Sequence, residues 1–481
     1  MSYEELLEAV AENDVERVEA LIRKGTPADP AHESDGTALY RAAVNGRVEI
    51  VRALLAAGAD PDRLSDGQDE GLPLCAAASR DHTGVVEALL AAGADPAGRE
   101  SHGWSPVLWA AAKGSLGALH ALLAAGAPAD DVNDHGETAL TLAARRGTPG
   151  AVRALLDAGA DPARPDAEGD TPLAIAYDWL GTQLESALLE QVSDRVTEDT
   201  PVVVSRTRAA DGTDLVTLTV LDAGGRPLTE VECQRGHAAV ATLLEAATGQ
   251  LPPFEELAER ALPYRDSDEE AETWWTVVGA LSERGDYAAF DAAVRMCSAE
   301  DPRRREFAVD VLAQFGFREG DKPFLEASLP VLRRMAVTEG DERVLRSLLG
   351  ALGHHADPRA LPEVLGIITA EGWTRTEADP AALAAVLPPG HAEGLALLIS
   401  MTEDPDDDVR DWATMSLAGL EEDTPQIRDA LAARLSDPDL GTVAEAARGL
   451  AERGDPRARA GIERVRAESD DDYARGIVED L

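Results

Sequence analysis

The 481-residue chain is short of the residue types that build oxidised scaffolds, metal centres and basic binding faces. Its three cysteines, Cys75, Cys233 and Cys297, are far apart and odd in number, which excludes a disulfide framework and zinc-finger spacing. That usage fits a reducing cytoplasm. Aromatics make up only 4%, so the 44% apolar content is mostly Ala, Leu and Val, small residues suited to close helix packing. Lysine is confined to Lys24, Lys113 and Lys322, and 44 basic against 90 acidic residues gives a formal charge of −46. So negative a chain is excluded from nonspecific binding to nucleic acid or anionic membrane. The charge suits either solubility or a basic partner.

Long apolar runs are missing too. No stretch approaches the length of uncharged residues that a membrane span needs, and the acidic start Met1-Ser2-Tyr3-Glu4-Glu5 does not read as a signal peptide. There is no Gly-rich phosphate loop, no H-E-x-x-H and no G-x-S-x-G elbow, so no catalytic, cofactor or metal residues are expected and the chain reads as a non-enzyme. Asp404-Pro405-Asp406-Asp407-Asp408 opens like a calcium loop, but Val409 stands at its sixth position and Met415 at its twelfth. It reads as a solvated helix cap. His354-His355 would point roughly 100° apart on a helix, which favours one structural or surface role each over a metal pair.

What the chain does have is a repeat. Leu54-Leu55 runs into Gly58-Ala59-Asp60, and the string returns at Leu89-Leu90, Leu122-Leu123 and Leu155-Leu156 with Gly93, Gly126 and Gly159. These glycines lie 35, 33 and 33 residues apart. A fixed period of that size marks a solenoid, in which each unit buries its apolar face on its neighbours. Within a period, Thr138-Ala139-Leu140 opens an Ala-rich segment that stops at Gly147, and a second segment through Val152 and Leu155 stops at Gly159. That is helix, tight turn, helix, glycine stop and polar loop.

These residues resemble the ankyrin repeat over roughly 1–190. Gly169-Asp170-Thr171-Pro172-Leu173, Gly136-Glu137-Thr138-Ala139-Leu140 and Gly103-Trp104-Ser105-Pro106-Val107 match its hairpin motif, and Thr37-Ala38-Leu39 and Leu72-Pro73-Leu74 are weaker versions. The motif's histidine is replaced by Tyr40, Cys75, Leu108, Thr141 and Ala174. A helix pair from Leu6 to Ile22 is expected to cap one end of the stack, and Leu180, Leu184, Leu188 and Leu189 the other. The resemblance implies that the residue after the hairpin glycine and the pair before the inter-helix glycine face a concave surface. It thereby assigns Arg80, Lys113, Arg145 and Arg146 to one basic stripe flanked by Trp104 and Trp179. Tryptophan and arginine are enriched at interface hot spots, so these six residues are the candidate partner-binding site.

Residues 193–253 break the period. Pro201 to Ser205, Leu215 to Val220 and Leu228 to Cys233 are β-rich, separated by the turn signals Asp211-Gly212 and Gly224-Gly225. A three-stranded meander is expected, then a helix from Ala238 to Ala247, the whole serving as a spacer between solenoids or as a binding module. Helical signals resume at about residue 254. Asp301-Pro302, Gly340-Asp341, Asp404-Pro405 and Asp437-Pro438 read as helix starts, aspartate serving as cap and proline suiting the first turn, and Gly454-Asp455-Pro456 marks a further helix-to-helix junction. The string Asp404-Pro405 to Val409-Arg410, Ala413 and Leu417 resembles the HEAT repeat, including the type found in phycobilin lyase subunits; the units are irregular between Gly353 and Met401.

The expectation is a mainly α chain. Two α-solenoids, ankyrin-like over 1–192 and HEAT-like over 254–481, are joined by a small β-containing segment. The architecture points to an intracellular scaffold or adaptor that binds protein partners, without catalysis, cofactor, nucleic acid or membrane. An acidic inhibitor or immunity protein against a basic toxin or nuclease is the alternative, and a bilin-lyase-type enzyme a remote one.

Overall fold

A computed structural model describes residues 3–29, 36–65, 71–196, 200–267, 272–317, 324–479 and 481. The chain forms two compact units, Met1–Ala280 and Leu281–Leu481.

The first unit opens with helices Tyr3–Ala11 and Val15–Arg23, which pack on one another. Four helix pairs follow, each with an inner and an outer member: Ala38–Val44 and Val48–Ala56, Pro73–Ala78 and Thr83–Ala91, Pro106–Lys113 and Leu116–Ala124, Ala139–Arg146 and Pro149–Asp157. Proline at the first turn or a capping threonine starts the inner helices where the sequence supplies one; Thr138 accepts from the Thr141 amide at 3.0 Å. Each outer helix ends at Gly58, Gly93, Gly126 or Gly159, all at φ between +85° and +92° with open space where a Cβ would stand. The left-handed backbone conformation, not crowding, is what requires glycine there. Leu54, Leu89, Leu122 and Leu155 are fully buried in one continuous core.

The fifth pair is built differently. Its inner helix is Pro172–Trp179, but the next helix in sequence, Leu184–Gln191, does not take the outer place. Leu184 and Leu188 instead pack under the sheet with Val216, Leu218, Val220 and Cys233. The outer place is filled by His237–Ala247, which packs on Pro149–Asp157 and Pro172–Trp179. Its Val240, Ala241 and Leu244 join the ankyrin-like core. Register confirms the role: Gly236, Val240 and Leu244 repeat the offsets of Gly46, Ile50 and Leu54. The leucines after Trp179 therefore do not cap the stack as expected, and the middle segment is an excursion out of the fifth repeat that returns to finish it.

The excursion holds the expected meander: β1 (Val202–Arg208), β2 (Asp214–Leu221) and β3 (Pro227–Gln234), antiparallel in the order β1-β2-β3. Val216, Leu218 and Val220 alternate on the buried face of β2, as period-two patterning dictates. Helices Phe254–Ala261 and Glu272–Arg284 follow.

The second unit is two-layered. Helices Pro302–Phe317, Glu342–His355, Ala378–Val386, Asp407–Ala418, Leu440–Glu452 and Asp472–Glu479 pack each on the next. Tyr287–Met296, Leu325–Thr338, Leu361–Ile368, Ala392–Met401, Pro425–Arg434 and Ala458–Glu468 back them pairwise. The layering continues through 353–401, where the sequence pattern is irregular. Two helix starts shift from expectation: the caps are Asp406 and Asp439, and Asp404 and Asp437 stand two residues earlier, accepting the amides of those caps. The released Asp437 carboxylate pairs with Arg410 at 2.9 Å, both side chains buried. His355 is buried, with Nε2 2.6 Å from Ser328 Oγ and Nδ1 2.9 Å from the Ala351 carbonyl, a packing role. Trp274 lies in the core, whereas Trp275 and Trp412 are 39% and 40% exposed.

Candidate protein-binding surface

The six expected residues divide into those the fold leaves open and those the excursion takes up. Arg80 lies in the turn after Pro73–Ala78 and Lys113 ends Pro106–Lys113; both are exposed. Trp104, after its hairpin glycine, is half-buried with its ring centroid 4.3 Å from that of Trp109.

Arg145, Arg146 and Trp179 do not form an open stripe. The Arg146 side chain is only 9% exposed; it donates to the Glu232 carbonyl at 3.0 Å and pairs with the Glu232 carboxylate at 2.8 Å. The Arg145 guanidinium bonds Glu137 and lies 3.5 Å from Asp166, while its carbonyl lies 3.2 Å from His237 Nε2. Trp179 stacks on His237, centroids 4.9 Å apart and planes 9° from parallel. The physical reason is the return of the chain: β3 and Gly236 dock on the inter-helix turns. Thr148 Oγ1 donates to Gln234 Oε1 at 2.9 Å, and the Gly150 amide donates to Asp211 at 3.2 Å. Gly147, at φ +74°, permits this approach, because a Cβ there would strike the Gln234 carbonyl and the His237 ring.

Electrostatics at this junction follow burial. Loss of solvation pushes the His237 imidazole down to about 4, against the pull of the Arg145 carbonyl, so the ring is neutral near pH 7. Burial likewise pushes the Cys233 thiol up to about 11; it donates to the Arg146 carbonyl at 3.3 Å. A buried, protonated thiol is inert.

Sequence reasoning misses a polar-aromatic group on the same inner helices. Trp109 Nε1 donates to Glu100 at 2.6 Å, and the other Glu100 oxygen accepts the Leu72 amide at 3.0 Å. The available signal was position: Trp109 directly follows Leu108, which fills the motif's histidine slot. Among the described residues no cluster of His, Cys, Asp and Glu has metal-binding geometry, and no helix is long and apolar enough to cross a membrane.

Stacked helix pairs with glycine-terminated outer helices and a shared linear core define a helical-repeat solenoid. The family profiles make this specific. Ankyrin-repeat profiles match residues 6–65, 72–99 and 107–191, and a HEAT-repeat profile matches residues 394–481. The N-terminal region of this protein consists of ankyrin repeats, and residues 394–481 are HEAT repeats. A stretch of 59 residues, 12% of the chain, is 46% identical to the 2-5A-dependent ribonuclease of Mus musculus and spans 8% of that protein's length. A solved ankyrin repeat domain from Acinetobacter baumannii AYE is 29% identical, covering 36% of this chain and 90% of that one at a TM-score of 0.34.

Proposed function

We propose that the protein is a non-catalytic scaffold that holds partner proteins on its solenoid surfaces, the ankyrin stack making the first contact through Arg80 and Lys113. Repeat modules of both kinds are protein-interaction scaffolds, and that coarse role is what the two families support. The observation that carries the finer reading is the exposure of these two cations at the inter-helix turns of neighbouring repeats, in a chain with 90 acidic residues. The Trp104–Trp109 pair beside Lys113 adds rigid apolar area of the sort that anchors interfaces.

Charge reversal of Arg80 and Lys113 together tests this. Partner capture by the full chain is expected to fall at least about tenfold with the melting temperature unchanged, since exposed helix-end charges contribute little to stability. Capture that survives the double reversal overturns the assignment. Reversal of Arg145 and Arg146 is the wrong test of binding, because it would break the Glu232 pairing inside the protein.

The acidic-inhibitor reading rests on the excess of 90 acidic over 44 basic residues, a formal charge of −46. Negative charge of this size favours a basic partner, whose binding would weaken steeply with salt. Salt-insensitive binding removes that reading.

A further inference from the structure

The four regular pairs pass from inner to outer helix through a turn of a few residues. The fifth does not: the chain leaves at Leu180 and re-enters at Gly236. The two ends do not close on one another, and between them lies a cavity of about 180 Å³ lined in part by Trp179, Thr182, Gln183, Arg235, His237 and Tyr264. An apolar cavity of roughly 150 Å³ accommodates one benzene ring, so the volume suits a single-ring ligand.

Its walls are fixed. Trp179 and His237 stack in parallel, and the imidazole is anchored to the Arg145 carbonyl. Arg235 is held at its backbone by the Asp214 carbonyl at 2.8 Å. Its guanidinium bonds Glu185 at 3.0 Å, and Glu185 also takes Arg206 at 2.6 Å. Two guanidinium groups on one carboxylate leave net positive charge at the rim. Gln183 precedes the helix Leu184–Gln191 and makes no side-chain cap; the Glu185 carboxylate takes its own amide, and the remaining first-turn amides lie at the positive end of the helix dipole. Burial raises the Tyr264 pKa against the pull of Arg235, so its hydroxyl is protonated near pH 7. The lining thus offers a cation and helix-start amides beside a flat aromatic wall, in a chain with a formal charge of −46.

We infer that this cavity binds a carboxylate carried on one aromatic ring, the carboxylate on Arg235 and the first turn of Leu184–Gln191, the ring against Trp179. Such a group comes either as a free aromatic acid or as the aromatic C-terminal residue of a polypeptide. The inference does not depend on the scaffold reading or on Arg80 and Lys113.

Calorimetric titration of the full chain tests it with four probes: phenylacetate, phenylacetamide, and one short peptide ending in phenylalanine as free acid and as amide. At least one acid is expected to saturate below about 10 mM, with an advantage of about tenfold or more over its amide. Arg235→Gln should abolish that advantage. Binding of phenylacetate alone identifies a free acid as the ligand class; binding of the peptide acid identifies a chain terminus. Equal binding of acid and amide, no saturation by either acid, or an advantage that survives in Arg235→Gln overturns the site. Should that variant unfold, the acid-against-amide contrast on the unaltered chain decides alone, since it needs no substitution.

Discussion

Both units join their repeats through buried apolar side chains and add arginine–carboxylate pairs between repeats, Arg63 to Asp29 and Arg99 to Asp131 in the first, but the second carries more of the latter. In the ankyrin stack, successive pairs share one core of leucine, valine and alanine, and the same buried leucine recurs at Leu54, Leu89, Leu122 and Leu155. In the second unit, arginines reach from one helix pair to carboxylates on the next: Arg305 to Glu339 at 2.8 Å, Arg333 to Glu363 at 3.0 Å, Arg375 to Asp404 at 3.2 Å and Arg410 to Asp437 at 2.9 Å. Those partners are 34, 30, 29 and 27 residues apart in sequence. The first unit keeps a nearly constant period through its glycine stops, whereas the arginine pairs of the second bridge separations that drift from 34 to 27 residues.

The contrast can be broken at its strongest point first. Leu122→Ala and Leu244→Ala should each cost about 2–5 kcal/mol in urea unfolding, the usual loss for a fully buried leucine. Leu244 is the sharper case, because it tests whether His237–Ala247 belongs to the stack; a loss below about 0.5 kcal/mol, as at a surface site, would exclude it.

Next come the arginine pairs. Arg410→Met leaves the buried Asp437 without its main partner and should cost about 3 kcal/mol. The double change Arg410→Met with Asp437→Leu should recover most of that loss, since neither buried charge remains. A double variant as unstable as the single would show that the pair does more than neutralise itself.

The smallest expected effect is a pH slope from His237. Its ordinary pKa of 6.5 falls to about 4 in the fold, so the unfolded chain takes up a proton that the folded chain refuses. The contribution is intact above pH 6.5 and is lost as pH falls toward 4, amounting to about 2 kcal/mol between pH 7 and pH 5. His237→Gln keeps a donor for the Arg145 carbonyl and should flatten that slope. Comparing the two proteins cancels the opposing relief of repulsion among the carboxylates. Parallel pH profiles would refute the buried neutral ring.

Much of this was legible in the sequence, and the exceptions have physical causes. The first four helix pairs are plain because glycine at positive φ and the paired leucines recur at nearly fixed spacing. The meander is plain because β2 alternates cleanly. The fifth pair was not, although Val240, Leu244 and the glycine before them carry the outer-helix pattern. Its two helices are separated by 57 intervening residues, and periodicity cannot assign partners across such a gap. The basic stripe failed at Arg146 and Trp179 for the same reason, since their contacts come from the returning chain. Arg80 and Lys113 are exposed, although Gln234 of the returning chain comes close to Gly114 beside Lys113. In the second unit the aspartates at helix starts were visible, but whether each one caps or pairs with arginine depends on the neighbouring repeat.

The interrupted fifth repeat also has a consequence in time. A ribosome adding roughly 5–20 residues per second takes roughly 3–14 s to pass from the end of the inner helix at Trp179 to the end of its partner at Ala247. For that interval the nascent stack carries an unfilled groove along Val152, Leu155 and Ile175, all of them buried once the fold is complete. The last repeat is thus a clasp that shuts only after its own detour has been synthesised.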